Sequence, residues 1–118
     1  MFKKGLLTLL LMGLLPVFAG EVEDAINKNQ NVFLYLYTPK CKYCVKFSPI
    51  YNQLAKAKEG NYTYIKVDAS SRYGYELMRK YRGRFVPYVL LVKKDKAVQI
   101  LPNCLMDSAC VKQEIKKF

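Results

Sequence analysis

The chain has no histidine and no tryptophan, and its acids are few: nine Asp and Glu stand against twenty Lys and Arg, a formal charge of +11 at neutral pH. Without histidine there is no imidazole to act as general base, so proton transfers must be arranged by other groups. Without tryptophan, the aromatic bulk falls to ten tyrosines and six phenylalanines, and the tyrosines are expected mostly in the core and sheet. The positive charge is scattered, with no basic block longer than two residues. That pattern, together with the lack of a recognisable nucleic-acid-binding motif, sets nucleic acid aside as a partner. It leaves solubility and weak association with anionic envelope surfaces as the uses of the charge. No internal repeat or low-complexity tract is visible, and 118 residues make one domain the default.

Long apolar runs are also scarce. The one that stands out, Gly5–Leu15, follows the basic start Met1-Phe2-Lys3-Lys4 and ends at Pro16 before Val17-Phe18-Ala19. This is the layout of a secretory signal peptide cut after Ala19. A spanning helix needs roughly 18 or more apolar residues, so a retained anchor is the lesser alternative. No cysteine stands at the cleavage site, which argues against a lipoprotein. The expected organisation is a signal peptide over 1–19 and one domain over 20–118, periplasmic or secreted. Removing the signal takes away Lys3 and Lys4 and no acid, so the net charge falls to +9.

Four cysteines is an even number, and an exported chain meets an oxidising compartment where disulfides persist. They form two close pairs, Cys41/Cys44 and Cys104/Cys110. The first pair, in Cys41-Lys42-Tyr43-Cys44, lies between a buried-strand pattern over Val32–Tyr37 and a helical pattern over Cys41–Lys58. A sulfur at a helix start faces unpaired N–H groups and the positive end of the macrodipole, and Lys40 and Lys42 flank it. Cys41 is therefore the expected attacking thiolate and Cys44, one turn in and more buried, the resolving thiol. Downstream, strands are expected over Tyr62–Val67, Val86–Val92 and Ala97–Leu101, with a hairpin turn at Lys94-Asp95-Lys96. Short helices are expected over Glu21–Lys28 and Tyr73–Tyr81, and a last one starts at Asp107 or Ser108. This order predicts an α/β fold: a four-stranded mixed sheet, parallel at its start and antiparallel at its end, flanked by helices on both faces.

The chain resembles the thioredoxin-fold thiol–disulfide oxidoreductases, from about Val32 to Phe118. Four features carry the likeness: the CxxC after the first core strand, Pro49 eight residues after Cys41, Tyr81 six residues before Pro87, and the Val86-Pro87 pair. The resemblance implies disulfide exchange with protein thiols and a redox partner protein, no cofactor, and a monomer. It implies a cis Val86-Pro87 bond facing the CxxC, so that Val86, Pro87 and the exposed Tyr43 form the substrate surface. The chain departs from the family pattern at several points. Lys40 stands where thioredoxins carry Trp, Lys42-Tyr43 where they carry Gly-Pro, Tyr35 where they carry a buried Asp, and Tyr64 where a lysine neighbours that Asp. A tyrosine before the second cysteine is more similar to glutaredoxins and periplasmic disulfide isomerases. Cys104–Cys110 is expected as a structural staple, with a second exchanging pair as the alternative. The spacing of the four cysteines matches zinc ligand sets poorly, so no metal is expected. A non-catalytic basic binding module on the same fold is the rival reading.

Overall fold

A computed structural model describes residues 20–118; the expected signal segment, 1–19, lies outside the described residues. The elements follow from the pattern. Val32–Tyr37, β-branched and aromatic, forms β1, buried along nearly its whole length. Thr63–Asp68 forms β2, Tyr88–Lys93 forms β3 and Lys96–Ile100 forms β4. The sheet order is β2-β1-β3-β4, with β1 parallel to β2 and antiparallel to β3, and β3 antiparallel to β4. The fold is therefore the mixed four-stranded sheet that the element order implied.

Helices α1 (Glu21–Asn27), α2 (Lys42–Ala57), α3 (Arg72–Lys80), α4 (Pro102–Leu105) and α5 (Ser108–Lys117) cover both faces. On one face Phe33 and Tyr35 of β1 pack beneath Phe47, Tyr51 and Leu54 of α2, with Leu105 of α4 and Val111 and Ile115 of α5. On the other, Val32, Leu34 and Leu36 meet Val22 and Ala25 of α1 and Leu77 of α3. Alternation along β1 thus feeds two cores, and each large apolar side chain buried there contributes about 1.5–3 kcal/mol.

Several boundaries differ from the sequence expectation, most by a single residue, as at β2, which runs Thr63–Asp68 and not Tyr62–Val67. β3 begins at Tyr88, paired with Leu36, and not at Val86; Pro87 has no N–H to give a ladder. The hairpin turn is Lys94-Asp95 alone, so β4 starts one residue earlier than expected. The stretch after β4, expected as a loop, contains α4, which opens on Pro102 at its first position, where a missing N–H costs nothing. Pro49 lies inside α2 and leaves the Val45 carbonyl without its helical donor. The helix ends where Lys58 turns left-handed, followed by a 3-10 turn over Glu59–Asn61 in which Gly60 has φ +70°.

Candidate active site

Strand β1 ends at Tyr37, and the Thr38–Lys40 turn delivers Cys41 to the N-cap of α2. Cys41 has extended backbone, and its Sγ accepts a hydrogen bond from the Cys44 N–H at 3.0 Å. The sulfur thus does the work that a Ser or Asp oxygen does at other helix starts. Cys41 is half-buried, Cys44 is 2 % exposed, and the two are joined as a disulfide with their Cα atoms 5.1 Å apart. Lys40, Lys42 and Lys46 are all exposed around it. When the bond is reduced, the Cys44 N–H and the helix terminus are in place to stabilise negative charge on Cys41.

The Val86–Pro87 peptide is cis. Val86 stands just outside the strand ladder, and its side chain packs against the core cluster that holds Cys44. Tyr43, Phe85, Val86 and Pro87 line one part of a groove of about 300 Å³, and α4 with Met106 lines the rest. Tyr43 and Phe85 are 59 % and 52 % exposed. The folding therefore brings the three expected substrate-surface residues into one groove. Cys104 and Cys110 form the second disulfide, linking α4 to α5. Among the described residues no three His, Cys, Asp or Glu side chains converge as metal ligands.

The profile of the Thioredoxin family matches residues 15–117. The chain belongs to the thioredoxin family. Solved thioredoxins superpose on it closely in fold. A mutant thioredoxin from Halobacterium salinarum is 24 % identical, with a TM-score of 0.69 over 84 % of this chain and 85 % of that one. Thioredoxin from Fasciola hepatica is 21 % identical, with a TM-score of 0.68 over 81 % and 89 %. The oxidised thioredoxin from Plasmodium falciparum is 23 % identical, with a TM-score of 0.65 over 82 % and 88 %. Family membership and the Cys41–Cys44 disulfide together support a thiol–disulfide oxidoreductase in general.

Within this thioredoxin-family frame the ground beneath Cys44 is unusual. Tyr35 is fully buried, and its hydroxyl donates to the Cys44 carbonyl at 2.8 Å. Ser48 Oγ donates to the same carbonyl at 2.9 Å and lies 3.1 Å from the Tyr35 oxygen. Burial pushes the Tyr35 pKa above that of a free phenol, against the opposing pull of the Ser48 hydrogen bond. At neutral pH Tyr35 is thus a donor that holds backbone, and not a base. The Tyr64 hydroxyl turns away to the Glu59 carbonyl, and the cation beside Tyr35 is Lys66, 5.7 Å from its ring centre. Lys66 is the register partner of Tyr35 on β2. Sequence reasoning missed Ser48, Phe85 and α4. Ser48 was accessible as a hydroxyl one turn after Cys44, and α4 through Pro102.

Proposed function

We propose that this chain is an exported thiol–disulfide oxidoreductase that exchanges disulfides with protein substrates through Cys41 and Cys44. The observation that carries the reading is the half-buried Cys41 sulfur at the N-cap of α2, receiving the Cys44 N–H and bonded to a buried partner. In the oxidising direction a client thiolate attacks Cys41 Sγ. The Cys41–Cys44 bond breaks, a client–Cys41 bond forms, and Cys44 leaves as a thiolate that takes up a proton. A second client thiolate then attacks the client sulfur and displaces Cys41. The client loses two electrons and the pair gains them. The reducing direction runs these steps backwards, and Cys44 is the resolving thiol. Tyr35 is neutral, so the Cys44 proton passes to water or to the departing thiolate. An extended client pairs with the backbone of Val86 beside Pro87, with Tyr43 alongside.

The basic, apolar and small-residue succession of residues 1–19 supports export, and two disulfides suit an oxidising compartment. A redox partner protein restores the pair, the chain works as a monomer, and its positive charge favours weak contact with anionic envelope surfaces. Insulin reduction and refolding of a reduced disulfide protein test the reading. Turnover that vanishes in Cys41→Ser supports it. Absence of turnover in both assays favours a binding module. Recovery of the protein outside the cytoplasm, beginning at Gly20, supports the location; recovery in the cytoplasm with Met1 intact opposes it.

A further inference from the structure

Helix α4 is a single turn, Pro102–Leu105. One turn cannot hold itself in water, so its place is set by what pins it. Leu105 is fully buried in the core beneath the groove. Cys104, 7 % exposed, is bonded to Cys110 in the first turn of α5. Between them Asp107 caps α5, accepting from the Ala109 N–H at 3.0 Å. These pins hold Pro102, Asn103 and Met106 up as one wall of the groove, opposite Tyr43 and Phe85.

We infer that the Cys104–Cys110 bridge is a specificity element: it fixes α4 as the wall of a subsite for a bulky apolar side chain on an extended, acidic client segment. This rests on the exchange proposed at Cys41 and names the clients that exchange selects. The groove is lined almost entirely by apolar side chains, and its volume of about 300 Å³ is at the small end of ligand-sized clefts. It suits a side chain better than a folded surface. The client is extended because Val86, on the groove's edge, lies outside the strand ladder. It is acidic because the three segments that build the rim, Thr38–Ser48, Arg82–Pro87 and Leu101–Met106, contain no acid, and the exposed Asp107 that follows Met106 is engaged as the cap of α5. The three segments carry the exposed cations Lys40, Lys42, Lys46, Arg82 and Arg84. The bridge itself faces inward: Cys104 belongs to the buried cluster and Cys110 packs against it. That placement suits holding a wall better than exchanging electrons.

The test uses the full chain carrying Cys44→Ala, which leaves Cys41 free and the second bridge closed. Its partners are short peptides, each with one cysteine activated as a thionitrobenzoate disulfide. Cys41 thiolate attacks the peptide sulfur, the old disulfide breaks, and thionitrobenzoate leaves with the electron pair and is read by its absorbance. One peptide carries Phe beside the cysteine and acidic flanks, a second Ser with acidic flanks, a third Phe with basic flanks. Half-saturation by the first should lie at least ten-fold below that of either other, with similar maximal rates. Replacing Cys104 and Cys110 by Ser, or Met106 by Asp, should shrink that preference below three-fold, through the half-saturating concentration. Met106 is exposed, so its replacement decides the matter even where the double Ser variant folds poorly. Equal half-saturation by all three peptides, or a preference that both variants retain, overturns the inference. If Cys41 reacts with no peptide, the proposed exchange falls and this inference with it.

Discussion

At the residue scale, reactivity and depth divide between the two active-site cysteines. Cys41 sits at a helix N-cap among lysines, and Cys44 is buried one turn in. Reduced protein should alkylate faster at Cys41 than at Cys44 below neutral pH, as read by peptide mass mapping; equal rates, or a faster Cys44, would reverse the roles. Tyr35 makes a different prediction. Its hydroxyl is one of two donors on the Cys44 carbonyl, and a hydrogen bond of that kind contributes about 1 kcal/mol. Tyr35→Phe should lose about that much stability in denaturant melts and leave the pH profile of Cys44 resolution unmoved, because a neutral phenol takes no proton. A profile displaced by the substitution would make Tyr35 part of the proton path. Cys41, Cys44 and Tyr43 were readable because spacing and a helix start say what they do. The Tyr35–Ser48–Cys44 contact was not, since Tyr35 reads as any aromatic strand residue until the strand and helix are superposed.

At the scale of elements, two packings carry measurable consequences. The Cys104–Cys110 loop is short, so the chain-entropy argument gives its bridge a modest stabilisation, roughly 2–3 kcal/mol. Replacing both cysteines by Ser should lower stability by that amount in denaturant melts, while the rate of Cys41 with a small disulfide reagent stays nearly intact; a collapse of that rate would mark a relay. The second packing joins α1 to α3. Tyr73 donates to Glu23 at 2.6 Å, and the Val22 N–H donates to Tyr73 at 3.0 Å, with Lys80 3.4 Å from Glu23. Burial opposes ionisation of Glu23, but the Tyr73 hydrogen bond and the Lys80 charge outweigh it and hold the pKa below 4.5. A depressed carboxylate stabilises the fold above its unfolded pKa and loses that effect as pH falls through the folded one. Glu23→Gln should therefore melt lower than the parent at pH 7, and the gap should close below about pH 4; a gap constant with pH would deny the linkage. Periodicity made α1, α2 and α3 legible in the sequence, a capping residue marked α5, and an apolar, β-branched run gave β1 to the residue. α4 is too short to show a period, and the start of β3 was hidden by an apolar Val86-Pro87 that reads as strand although Pro87 cannot enter the ladder.

At the scale of the molecule, one small domain holds two disulfides with different surroundings. One closes an N-cap flanked by exposed lysines, the other is tucked against the core between α4 and α5. The fold was readable from element order, while the groove that Tyr43 shares with α4 was not. The groove needs α4, Phe85 and Tyr43 brought together from three separate stretches. The difference in surroundings separates the pairs energetically. The lysines and helix terminus at Cys41 favour its thiolate and so the reduced form, and Tyr35 supplies no carboxylate beneath Cys44 to counter them. The most direct test is mass spectrometry of the alkylated protein held at a graded series of redox poises. The Cys41–Cys44 bond should open at a potential above that of thioredoxin, about −270 mV, with Cys104–Cys110 still closed. A Cys41–Cys44 potential at or below that value, or two bonds that open together, would contradict the account.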